Sequence, residues 1–437
     1  MWRVPREWTP VDSHSPEWRT FQKSHIRPMT EQQQHNPLGK TGLELRSFSF
    51  LVLYSIMLTA LAFVTFLVLL ALAIEMALGN RTIPFLKDVP PAEDPGLPNV
   101  SILIAARNEG RNIETALQSI LHMAYEPCEV IVVNDRSTDQ TGKILEQMAR
   151  SWPALKVVTV QTLSNGWLGK NHALYQGAQI ASGEYLLFAD ADIVMDKTVL
   201  ARAVTYVQEK QIDHLAALPE LALKGLLLNL FASGFTMFFS AYFKPWKVKD
   251  PKSSRFMGVG AFNLMKTSTY RAIGTHQRIA MRPDDDLMLG KLVKRHGFRQ
   301  DLVFGKELLW VEWYGSVGEM VNGLMKNSFS GFEYRLWMVV AVSLASLVVN
   351  VWPLPAIFLT HGWAQGLNAG CVGVTLLLFW DTAGFLGYKR WYGIGIPFAA
   401  LFGIYVMWRA ALLTLLQGGI RWRGTFYPLD QLKANKV

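Results

Sequence analysis

Tyr185-Leu186-Leu187-Phe188-Ala189-Asp190-Ala191-Asp192 decides the fold: five apolar residues stop abruptly at two carboxylates separated by one small residue. A short apolar run bounded by polar residues reads as a strand buried on both faces. The same pattern recurs upstream. Residues 100–105 are apolar, run into Arg107-Asn108-Glu109, and are followed by a helical pattern from Ile113. Residues 130–133 are β-branched and end at Asn134-Asp135, with 138–152 helical behind them. Residues 155–160 form a third strand and 171–180 a third helix. Strands alternating with helices at this spacing predict an α/β fold, a Rossmann-like, mainly parallel sheet with helices on both faces. Ligands of such sheets bind beyond the carboxyl ends of the strands, where Arg107–Glu109, Asp135 and Asp190–Asp192 fall. No G-x-G-x-x-G follows the first strand, which argues against a dinucleotide dehydrogenase.

The sheet segment lies between apolar stretches. No charge interrupts residues 47–74, and about twenty such residues cross a bilayer. A polar tail, 1–46, precedes them without a cleavage pattern, so 47–78 reads as an anchor and the proline-rich 79–98 as a stiff linker. Within 336–417, residues 336–359, 367–388 and 392–417 read as three further spans, followed by a basic tail, 418–437. The basic link at Lys389-Arg390 places 99–335 in the cytosol by the positive-inside tendency. The same rule would leave both chain ends outside, a conflict that a re-entrant or surface-lying span would remove. Asp381 and Arg409 lie inside apolar runs, and snorkelling toward opposite interfaces is favoured over an interhelical pair. Residues 222–243, followed by Lys244, Trp246, Lys247 and Lys249, suit an interfacial helix, with a core helix or a span as alternatives.

Composition agrees with lipid contact. Among 437 residues charged side chains make up only 18%, against roughly 25% in soluble domains. A net charge of +9 suits anionic headgroups or an anionic nucleotide, and no nucleic-acid-binding motif is present. With two cysteines, Cys128 and Cys371, neither a disulfide framework nor a thiolate metal site is expected.

Oxygen ligands suit hard cations, and a cation bridging two phosphates neutralises a diphosphate leaving group. Asp190 and Asp192 fit that chemistry, and a turn with helix-capping aspartates is the plainer alternative. Asp135 is a candidate for the nucleotide base or, equally, a turn residue. Lys170, in Gly166-Trp167-Leu168-Gly169-Lys170, stands where phosphate could approach, or is a solvated loop lysine. Asp284-Asp285-Asp286 precedes an apparent helix, Leu287–His296; its carboxylates suit a helix start or a general base.

Together these segments resemble family 2 glycosyltransferases of the GT-A fold, over roughly residues 99–332, with further likeness in the membrane tail. The matches are Ala106-Arg107-Asn108-Glu109, Asn134–Thr138, Gly169-Lys170, Ala189-Asp190-Ala191-Asp192, a glycine-containing loop at 258–264, and Asp285-Asp286. Hopene-associated, carotenoid-acid and ceramide glycosyltransferases are similar in Gly166–Lys170, Ala173-Leu174 and the 418–424 ending. The resemblance implies that Glu109 and Asp135 contact the nucleoside, and that Ala106 and Arg107 belong to the same nucleotide-sugar site. Lys170, Asp190 and Ala191 would contact the nucleotide sugar, and Asp192 would bind Mg2+ or Mn2+. Asp286 would be the inverting general base beside Asp285, with Gly258, Gly260 and Lys326 on the acceptor side. The donor would be a nucleotide-diphosphate sugar, foremost a UDP-sugar; the acceptor would be a hydroxyl or carboxyl of a membrane lipid. The setting would be a bacterial inner membrane.

Processive members carry Q-x-x-R-W on an interfacial helix. None follows Asp286; Gly323–Phe329, with Lys326, stands there instead, and Lys326 suits a headgroup as well as a diphosphate. Transfer of one sugar is therefore expected over a processive polysaccharide synthase. A non-catalytic membrane scaffold with a degenerate nucleotide fold is the other alternative.

Overall fold

The computed structural model describes residues 37–91 and 96–437. The expected tail up to residue 36, and 92–95 of the expected linker, lie outside the described residues. By compactness the chain divides into Met1–Leu58 and Thr59–Val437. The first unit contains the start of helix α1 (Pro37–Asn80); everything below concerns the second.

The sheet segment runs β1 (Val100–Ala106), α2 (Ile113–Leu121), β2 (Cys128–Asp135), α3 (Thr141–Ser151), β3 (Leu155–Val160), α4 (Gly169–Ile180), β4 (Tyr185–Ala189). It continues through β5 (Ile193–Met195), α5 (Val199–Glu209), β6 (His214–Leu218), β7 (Glu220–Leu221), α6 (Leu226–Phe243), β8 (Asn263–Lys266), α7 (Thr267–Ala272), α8 (Asp285–Arg295), β9 (Gln300–Phe304) and β10 (Leu309–Val311). Seven strands make one sheet in the order β3-β2-β1-β4-β8-β6-β9. β3, β2, β1 and β4 are mutually parallel, while β8 runs antiparallel to both β4 and β6. Alternation along β1 explains the two-sided burial. Ile102 and Ile104 pack with Ile113, Leu117 and Leu145 on one face. Leu103 packs with Ile131, Val133, Leu174 and Leu292 on the other. Each such side chain, wholly removed from water, contributes about 1.5–3 kcal/mol before chain entropy is counted. The parallel register sets Ala106 beside Asn134 and Ile104 beside Ala189, so the polar residues that follow these strands emerge at one edge.

The remaining elements are α9 (Val317–Ser328), α10 (Leu336–Ser346), α11 (Pro353–Leu359), α12 (Gly362–Leu386), α13 (Ile396–Gln417), a hairpin of β11 (Gly419–Trp422) and β12 (Thr425–Pro428), and α14 (Leu429–Ala434). Four helices among the described residues are long and apolar enough to cross a membrane: Ser49–Asn80, Leu226–Lys247, Gly362–Leu386 and Arg390–Gln417. The second covers the segment read as interfacial. Two of its basic edge residues, Lys244 and Lys247, pair with Glu75 of α1 at 2.6 and 2.7 Å. Residues 336–359 comprise α10, a π-turn (Leu347–Val351) and α11. Left-handed Glu333 and Tyr334 bend Val317–Phe332 by 106° against Leu336–Val351. Asp381 pairs with Arg81 at 2.6 Å, whereas Arg409 contacts Met325.

Candidate active site

The loop after β1 is fastened to the loop after β2. Asn108 N donates to Ser137 Oγ at 3.0 Å, and Asn108 Oδ1 accepts from Thr138 N at 2.8 Å. Asp135, almost wholly buried, accepts from Arg136 Nε at 2.7 Å and Nη2 at 2.9 Å, with Arg107 Nη1 3.6 Å away.

Strand β4 stops at Ala189, so Asp190–Asp192 forms a turn into β5 rather than a continued strand. Both carboxylates nevertheless line the same cleft. Asp190 accepts from Lys170 Nζ at 2.7 Å, and Lys170 also lies 3.4 Å from Asp285. Burial alone would discharge Lys170, but Asp190, Asp285 and Asp286 outweigh it and hold the ammonium above its ordinary range. Asp192 is the electrostatic opposite: burial, then Asp190 and Glu109, push it up to about 7.

The three consecutive aspartates have separate fates. Asp284 is taken by buried Arg282, which donates from Nε at 2.9 Å and Nη2 at 2.7 Å. Asn171 anchors that loop by donating to the carbonyls of Ile279 and Arg282 at 2.7 and 2.9 Å. Asp285 and Asp286 turn into the cleft. Asp286 Oδ2 accepts from Gly260 N at 2.8 Å and Oδ1 from Leu287 N at 2.9 Å. Burial and then Asp285 push Asp286 up to about 6. The approach requires glycine: a Cβ on Gly258 would stand 1.8 Å from the Asp286 carbonyl oxygen, and one on Gly260 2.7 Å from Asp190 Oδ2.

One cleft of about 460 Å³ gathers Ala106, Arg107, Glu109, Asp135, Lys170, Asp190, Ala191, Asp192, Gly258, Gly260, Asp285, Asp286 and Lys326. Among the described residues no three His, Cys, Asp or Glu side chains converge closely enough to hold a metal alone. Asp192 beside Asp190 and Glu109 still forms an oxygen-rich, negatively charged corner that a hard cation would relieve, its other ligands coming from a bound molecule.

Several cleft residues were missed from sequence. The turn of the β11–β12 hairpin enters the site: Arg423 Nη2 donates to Glu109 Oε1 at 2.5 Å, and Arg423 Nη1 donates to the Arg107 carbonyl. Lys326 sits 4.7 Å from the centre of the Trp422 ring. The 418–424 likeness was the available signal. On the opposite side, Phe235, Thr236, Phe239, Trp313, Leu386 and Tyr388 form a mostly apolar arm, and the Thr236 and Tyr388 hydroxyls lie 3.2 Å apart. Nothing in their sequence context separates them from lipid-facing residues.

The family model described as Glycosyl transferase family 2 matches residues 101–267. Two curated relatives, both 4,4'-diaponeurosporenoate glycosyltransferases of Staphylococcus aureus, are similar over a short region. The one from strain bovine RF122 / ET3-1 is 41% identical over 95 residues, 22% of this chain and 24% of its own length. That from strain USA300 is 42% identical over 94 residues, again 22% and 24%. The chain thus spans about a quarter of the length of these relatives. Among solved structures, the mannosyltransferase PcManGT from Pyrobaculum calidifontis, in complex with GDP-Man and Mn2+, is 18% identical with a TM-score of 0.50, covering 82% of this chain and 99% of that one. At that identity the likeness speaks to fold. Residues 101–267 thus match the Glycosyl transferase family 2 model within a seven-stranded mixed sheet of the GT-A fold that has acids at its strand ends and is joined to helices apolar enough to cross a membrane.

Proposed function

We propose that this protein is an inverting glycosyltransferase that moves one sugar from a nucleotide-diphosphate sugar to a hydroxyl or carboxyl of a membrane lipid, on the cytosolic face. One observation carries the reading: Asp135, Asp192 and Asp286 share a cleft with Lys170, and that cleft extends along two helices apolar enough to cross a membrane. The relatives' name supports a carotenoid-acid-like acceptor, and the GDP-Man and Mn2+ bound by the mannosyltransferase support a nucleotide sugar and a divalent ion.

In this mechanism Arg107, Glu109 and Asp135 hold the nucleoside at the ends of β1 and β2. Lys170 and Asp190 orient the donor, while Lys170, Lys326 and Arg423 supply positive charge where the diphosphate departs. Asp192 would hold Mg2+ or Mn2+, which when bound would neutralise the leaving diphosphate. Asp286, fixed by the Gly260 and Leu287 N–H groups, removes the proton from an acceptor hydroxyl as its oxygen attacks in line. An acceptor carboxyl arrives already ionised and needs no general base. The aromatic arm holds the acceptor's apolar chain.

Purified protein in nanodiscs, given labelled UDP- and GDP-sugars with a lipid extract, tests the reading. Asp192→Ala and Asp286→Asn should each lower transfer at least ~100-fold. Turnover unchanged in both variants would reject the chemistry.

A further inference from the structure

Beside the acid cluster lies a small void, about 10 Å³, where Lys170, Asn263, His276, Asp285 and Asp286 meet the apolar side chains of Leu174, Phe188, Ala189 and Leu289. That is about the space of one water molecule, and the five polar side chains are the partners it would have. His276 is fully buried, with Nε2 unpartnered among the described residues. An imidazole nitrogen left bare in the interior is destabilising unless something bonds it.

Tyr270 Oη accepts from the backbone N–H of His276 at 3.2 Å and lies 2.8 Å from His276 Nδ1. With the Tyr270 proton donated to Nδ1, the neutral ring carries its own proton on Nε2, the tautomer that the inference below uses. Burial and then the charge of Lys170 hold His276 down at about 3, so the ring is neutral. Phe188 packs edge-on against the imidazole at 4.9 Å and against Tyr270 at 5.2 Å, locking the pair.

We infer that His276 is a positioning residue for Asp285 and Asp286, acting through one buried water that accepts its Nε2 proton and donates to the carboxylates. A donor aimed at carboxylates favours their ionised form. The inference rests on Asp286 being the base. Other charges acting on Asp286 are Lys170 from α4, Asp190 after β4, and Lys326 from α9, all unchanged in the variants below.

The test is the pH–rate profile of sugar transfer by the full chain in nanodiscs. His276→Phe removes the donor and fills the void. Its acidic limb should move up by about half a pH unit or more, with donor KM within about twofold of wild type. His276→Gln, which keeps an N–H donor, should retain the wild-type limb. Tyr270→Phe, which frees Nδ1 to take the proton, should move the limb the same way by less. An unmoved limb in His276→Phe, or an equal move in His276→Gln, would overturn the inference. If His276→Phe does not accumulate, Tyr270→Phe decides, and an unmoved limb rejects the water. Asp286→Asn separates the two claims: full activity there sinks the proposed function, whereas lost activity with an unmoved limb sinks only this step.

Discussion

The Gly260 N–H points at Asp286 Oδ2 from 2.8 Å, while the space where a Gly260 side chain would start is held by Asp190, 2.7 Å from that position. One backbone position therefore fixes a carboxylate on each side of the cleft. Gly260→Ala should fold, because the obstacle is a side chain at the cleft rather than packed backbone, yet lose about 10–100-fold in kcat. Circular dichroism alongside steady-state transfer assays checks both halves.

With a base held at about 6, sugar transfer to a hydroxyl should fall as pH drops below that value and level off above it. The direction follows from the role: a base works ionised, and its raised affinity for protons brings the loss nearer neutrality than for an ordinary carboxylate. A profile flat between pH 5 and pH 8 would remove Asp286 from that role.

Arg423 spans Glu109 and the Arg107 carbonyl, both on the proposed nucleoside side. Arg423→Ala should raise donor KM about 5–20-fold, the scale of one charge-assisted hydrogen bond, with a smaller effect on acceptor KM. Arg423→Lys should recover only part, since lysine lacks the planar fork. Isothermal titration with the nucleoside diphosphate measures the loss without turnover.

Phe239→Trp adds bulk to the aromatic arm. Acceptor KM should rise several-fold while slow hydrolysis of the donor in the absence of lipid stays near wild type. Equal loss of both activities would mean that the arm serves the fold instead of the acceptor.

Chelation of divalent ions should bring transfer to background, and added Mn2+ or Mg2+ should restore it. Asp192→Asn should resemble the chelated enzyme and resist rescue. Transfer that survives both treatments would assign diphosphate stabilisation to Lys170, Lys326 and Arg423.

The sheet was legible because each strand is a β-branched or apolar run cut off by polar residues, a pattern produced by burial on both faces. The acids at strand ends followed from the same pattern. The separate fate of Asp284 was not legible. Successive helical residues point about 100° apart, and which of three identical neighbours faces the cleft depends on buried Arg282. That pair is almost fully enclosed, so breaking it costs about 3–5 kcal/mol. Arg423 escaped because its partner Glu109 lies 314 residues away, and the 418–424 likeness carries no sign of that contact. Phe235 and Phe239 escaped because an apolar helix reads the same toward lipid as toward a cleft.

The hairpin that carries Trp422 and Arg423 comes after the last of the apolar helices in the chain. A ribosome must finish those helices before these residues emerge, so the cleft cannot close around Glu109 and the Arg107 carbonyl until synthesis is nearly over.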